Sequence, residues 1–149
     1  MSGGNALAVV LTLAAGFGSS VQAAIVGRFG DRIGSVEALG FSMLVAGTAG
    51  IAILLVGRQS LHGLVVAGQQ PAWLWLGGAL SALIVLGLTI ATPRIGVTAV
   101  IALLIAGQLV MAAAIDRFGL FGVERIALHW PRVLGIAFLA AGAALSLRK

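Results

Sequence analysis

The sequence predicts an all-α integral membrane protein, a helical bundle of about five transmembrane helices, and three observations carry that expectation. Sixty per cent of the 149 residues are hydrophobic and 9% are charged, with a mean hydropathy of +1.15, whereas about a quarter of a soluble domain is charged. The apolar residues fall in long runs, each near the roughly 20 residues that a helix needs to cross a hydrocarbon core about 30 Å thick. The charged residues stand singly or in short clusters between those runs. With short links the runs account for residues 1–149 as a single transmembrane domain.

The first span is expected over residues 5–27 and is closed by Arg28, Asp31 and Arg32 in RFGDRIG, read as a short polar turn. It lacks a basic leading region, exceeds a signal-peptide core in length and is followed by four similar segments, so it is read as a retained helix. The second span, 35–57, is closed by Arg58. Residues 59–71 form the longest link, with His62 and Gln69-Gln70-Pro71, and Leu64-Val65-Val66 within it suits the membrane interface. The third span, 73–92, opens on Trp73 and Trp75, whose amphipathic rings favour headgroup level, and ends at Thr92-Pro93-Arg94. The fourth is expected over 95–115 and the fifth over 132–147, with Arg117, Glu124, Arg125 and His129 between them. The 22 glycines suit such spans, because small residues let helix backbones approach closely in lipid.

Five spans put the termini on opposite sides of the membrane, so the basic residues divide between two faces. One face holds Arg58, Arg117, Arg125 and Arg132; the other holds Arg28, Arg32, Arg94, Arg148 and Lys149. Four against five gives the positive-inside rule almost nothing to act on. The balance predicts dual topology, with copies inserted both ways. Two opposed copies recreate the inverted repeats on which many transporters are built, an antiparallel dimer of ten helices. A parallel dimer or a monomer is the alternative. A weak internal echo, RFGDRIGSVEAL after the first span and RFGLFGVERIAL after the fourth, suggests comparable helix-turn-helix units.

Polar groups at membrane depth cost free energy unless paired, which marks them as functional candidates. Ser19, Ser20 and Gln22 lie beside Gly16 and Gly18 in the first span, either as a packing seam or as the lining of a pathway. Gln108 and Asp116 lie about two turns apart on a similar face. Asp116 is the first candidate for proton or ion coupling; a cap or an ion pair with Arg117 or another interfacial Arg is the structural reading. Glu37, at the start of the second span, is the second coupling candidate, although a carboxylate there also suits the helix dipole. Arg94 either snorkels to the headgroups or stands at a pathway mouth. Thr92, Pro93 and Gly96 together read as a helix break.

Cysteine is absent, which excludes disulfides, thiolate metal sites and a cysteine nucleophile. His62 and His129 have no clustered carboxylates at ligand spacing. No nucleophile–base constellation or phosphate-cradling loop appears, so neither an enzyme nor a cofactor or metal is expected. The net charge of +5 is spread between apolar spans, as topology determinants and lipid contacts rather than as a nucleic-acid surface.

The segments GFGSSVQAAIVGRFGDRIGS, PAWLWLGGALSA and TPRIGVTAVIALLIAGQLVMAAAIDRFGLFG resemble the YdcZ-type inner-membrane family of the drug/metabolite transporter superfamily. The most specific elements are Gln22; Pro71-x-Trp73 followed by Gly77-Gly78; and Gly107-Gln108 followed by Asp116-x-Phe118-Gly119. The resemblance implies a bacterial inner membrane and an antiparallel dimer, either of oppositely inserted copies or of this chain with a related one. It also implies kinship with small multidrug exporters, which have four spans and a carboxylate in the first helix; this first span has Gln22 and no acid. The expected function is a secondary transporter or exporter of a small solute, working by alternating access. Gln22, Ser19, Ser20 and Gln108 are the expected substrate contacts. The alternative is an accessory subunit of another membrane complex, for which the near absence of intramembrane charge speaks.

Overall fold

The structure, a computed structural model, describes residues 3–58, 60–127 and 129–147. Arg148 and Lys149, counted above as topology charges, and Gln59, at the start of the second link, lie outside the described residues, as does the side chain of Arg58. Helices α1 (Gly3–Ile33), α2 (Ser35–Arg58), α3 (His62–Gly68), α4 (Leu76–Ile95), α5 (Val97–Phe118) and α6 (Trp130–Ser146) follow in order, with no strand among the described residues.

Among the described residues four helical stretches are long and apolar enough to cross a membrane: Ala6–Ile33, Ser35–Gly57, Ala72–Ile95 and Val97–Phe118. α6 is shorter, at 17 residues, and reaches about 25 Å at 1.5 Å per residue, the lower limit for a span. Pro131 stands in its first turn, where its fixed φ fits and its missing N–H costs nothing.

Two links differ from the sequence expectation. The RFGDRIG charges do not end the first helix, which continues to Ile33 before a one-residue break. Arg and Asp are compatible with helix once the chain has left the hydrocarbon. The break falls at Gly34, with φ of +101°, a conformation that costs glycine little. A Cβ there would collide with the Glu37 carboxylate. The second difference is at Pro93, which lies inside α4; the helix runs on to Ile95 and stops at Gly96, with φ of +83°. The two echo segments also differ, since a single residue separates α1 from α2 whereas α5 is followed by a 3-10 turn and, among the described residues, a link without regular structure before α6.

Contacts divide the chain into two compact units, Val21–Pro93 and Met1–Ser20 with Arg94–Lys149. In the first, α1 meets α4 through small residues. A Cβ on Gly27 would stand 2.7 Å from Thr92 Cβ, and one on Gly30 would collide with the Thr89 methyl. Glycines three apart thus let the two backbones approach. Ala23, Val26, Val85, Leu88, Thr89 and Thr92 are buried. Thr89 Oγ1 donates to the Val85 carbonyl at 2.7 Å. Thr92 Oγ1 is buried without a partner among the described residues. The short α3 carries Leu64, Val65 and Val66, all exposed, and Trp75 Nε1 ties this link to the start of α4 by donating to the Ala67 carbonyl at 3.3 Å.

In the second unit α5 packs on α6, with Ala99, Val100 and Ala143 buried. Large apolar side chains elsewhere are exposed, among them Phe17, Val56 and Phe138. That is the pattern of helices whose outer solvent is lipid, where burying Leu or Phe between helices gains little over leaving it in the acyl chains.

Candidate functional site

The one-residue break at Gly34 makes α1 and α2 sequence neighbours, and their facing stripes create a groove in the Val21–Pro93 unit. α1 contributes Gln22, Ile25, Val26 and Phe29, spaced as one helical face; α2 contributes Phe41, Ser42, Val45, Ala46 and Ala49. The groove encloses about 460 Å³. The Phe29 and Phe41 rings meet edge to face, centroids 5.5 Å apart at 74°, a favoured aromatic geometry. Its polar groups are the Gln22 amide and the Ser42 hydroxyl, neither hydrogen-bonded to protein among the described residues. A site of this kind offers an apolar body with a few orienting groups, the usual composition of a small-molecule pocket.

A second groove, about 430 Å³, lies in the other unit and is lined by Ser20, by Val97, Thr98, Ile101, Ala102 and Ile105 of α5, and by Phe138, Leu139, Gly142 and Ala143 of α6. Ser20 Oγ also reaches back to the Gly16 carbonyl at 3.4 Å. Ser20 and Gln22 therefore line different grooves. Residues two apart on a helix point about 200° away from one another, so the polar patch expected from Ser19, Ser20 and Gln22 is divided. Ser19 is half-buried and lines neither groove.

The Asp116 carboxylate pairs with Arg132 at 2.9 Å, across the ends of α5 and α6. Its side chain is 18% exposed against 49% for Arg132. The pair borders a cavity of about 190 Å³ with Leu109, Ala112, Ala113, Gly135, Ile136 and Leu139. The Asp116 carbonyl accepts the Ile126 N–H at 2.9 Å, folding the α5–α6 link back on the helix end. Gln108 is exposed on α5 and does not border this cavity. Glu37 is exposed in the first turn of α2, and Arg94 is exposed in the last turn of α4.

Ser42, Thr98 and the Phe29–Phe41 pair went unmarked in the sequence, and Arg132 appeared only as a topology charge. One signal was present: Phe29 and Phe41 stand at similar distances on either side of Gly34, where an antiparallel helix pair brings them together.

The profile of the family described as "Putative inner membrane exporter, YdcZ" matches residues 7–145. The chain belongs to this family. Comparison with curated proteins and with solved structures gives no match. The YdcZ match covers both units and all the candidate residues, and it agrees with the resemblance carried by the Gln22, Pro71-x-Trp73 and Gly107-Gln108 segments. This YdcZ-family chain is a multi-pass inner-membrane protein, and its family is described as one of inner-membrane exporters.

Proposed function

We propose that the protein is a secondary exporter of a small, largely apolar solute, working by alternating access across an antiparallel dimer of oppositely inserted copies. The observation that carries this reading is the Gln22 groove: a space of about 460 Å³ with an aromatic pair and two free hydrogen-bonding side chains, on a chain of the exporter family. The groove is open along its helix faces, and a second copy supplies the wall that one chain lacks. The even division of Arg and Lys supports opposed insertion. The whole chain acts as one transmembrane domain, and its partner is another copy or a related chain.

Gln22 orients the solute, with Ser42 beside it. Ser19, Ser20 and Gln108 contact solute at other stages of transit, and Arg94 stands at a mouth. Asp116 is the coupling carboxylate and Glu37 the secondary one. The ion pair of Asp116 with Arg132 places it at the contact between the ends of α5 and α6.

Purified protein in liposomes tests this. Flux from a broad solute panel, greater with a pH gradient and lost in Gln22→Ala while dimers still form, is expected. No flux under any gradient, together with capture of a stoichiometric foreign membrane partner, points instead to an accessory subunit.

A further inference from the structure

Beyond its apolar body, the α1 groove has an electropositive end. The stripe that carries Gln22, Ile25 and Phe29 continues to Arg32, with Arg28 at its edge, all within about one third of the helix circumference. Ile25 and Phe29 line the Gln22 groove and also a second concavity, of about 260 Å³, whose other walls are Arg28 and Arg32. Both arginines are exposed, and neither forms an ion pair among the described residues. The carboxylates nearest in sequence, Asp31 and Glu37, are exposed and border neither space. Glu37 lies against Gly34 instead.

Depth agrees with this chemistry. The apolar stretch that begins at Ala6 has covered about 30 Å by Gly27, which leaves Arg28 and Arg32 at headgroup level while Gln22 lies inside the hydrocarbon. Gln22 and Arg28 are about 9 Å apart along the axis, the length of a two-ring aromatic acid. Two guanidiniums one turn apart are suited to holding one carboxylate, sulfonate or phosphate.

We infer that this trough binds an amphiphilic anion, its apolar body in the Gln22 groove against the Phe29–Phe41 pair and its acidic group on Arg28 and Arg32. This deepens the exporter reading and rests on it for transport, though not for binding. Two sources share the chemistry: a soluble organic acid and the phosphate of an anionic lipid. A hydrophobic cation, by contrast, meets no carboxylate in the trough.

Equilibrium binding to the purified full-length protein in dodecyl maltoside decides it, with 2-naphthoate, the neutral 2-naphthylmethanol and the cationic 2-naphthylmethylammonium as probes. Native mass spectrometry with added phosphatidylglycerol and phosphatidylcholine reports lipid. Naphthoate is expected to bind at least tenfold tighter than the alcohol, with the preference lost in R28Q/R32Q and kept in R28K/R32K; alcohol binding changes less than twofold. Retention of phosphatidylglycerol in place of naphthoate, with the same arginine dependence, identifies the lipid source. Should R28Q/R32Q lose the alcohol as well, the single R28Q and R32Q variants serve, each losing threefold or more in anion affinity. An absent anion preference, one indifferent to these substitutions, or tighter cation binding overturns the inference. Anion binding without flux would count against the exporter reading alone, and flux of solute by a protein that shows no arginine-dependent anion preference against this inference alone.

Discussion

Asp116 Oδ2 lies 2.9 Å from Arg132 Nη1, and this ion pair joins the C-terminal turn of α5 to the first turn of α6. Because Arg132 is half exposed, water screens part of the attraction and the pair is worth at most about 1 kcal/mol. Asp116→Asn and Arg132→Gln are each expected to lower the melting temperature in detergent by about 2–4 °C, and the double variant by less than the sum. Strict additivity would show that the two side chains do not interact.

The same carboxylate is the proposed coupling group. In liposomes Asp116→Asn is expected to bind solute normally and to lose the stimulation of flux by a pH gradient, whereas Glu37→Gln keeps most of it. A pH response unchanged in Asp116→Asn assigns coupling elsewhere.

Gly27 and Gly87 make opposite demands. A Cβ on Gly27 meets Thr92 Cβ at 2.7 Å, whereas one on Gly87 meets nothing within 4 Å. Gly27→Ala is expected to destabilise by about 1–3 kcal/mol through overpacking. Gly87→Ala is expected to be neutral or to gain up to about 1 kcal/mol from helix propensity. Thr92→Val, which removes a buried hydroxyl without a partner, is expected to be neutral or stabilising. Thermal unfolding of the three variants separates the outcomes.

Dual topology has a direct reporter, since the chain has no native cysteine. A single cysteine placed in the link around residue 63 should be labelled from one side in only part of the population. Adding two lysines to that link should convert it to a single orientation and abolish transport, and co-expression with an oppositely biased copy should restore it. Full labelling of the unmodified link from one side, with none from the other, refutes opposed insertion.

The membrane class and the family were legible in the sequence alone, because uninterrupted apolar length and sparse charge are linear properties that the hydrocarbon thickness converts into spans. Of the five spans expected, four are long enough among the described residues and α6 is shorter. The Gln22, Pro71-x-Trp73 and Asp116 segments were equally linear signals. Tertiary structure decided which polar residues share a space. Ser20 and Gln22 are neighbours in the chain yet line different grooves, since helical rotation separates residues two apart. Asp116 met Arg132 across a link of 15 intervening residues; an ion pair with Arg117 or another interfacial Arg was the structural expectation, and the fold of the link chose Arg132. Backbone conformation placed the first helix break at Gly34, beyond Arg28, Asp31 and Arg32, and narrowed the expected Thr92-Pro93-Gly96 break to Gly96, because α4 continues through Pro93. The Phe29–Phe41 contact followed from the first of these breaks, because the one-residue turn at Gly34 sets α2 beside α1 so that the two rings meet.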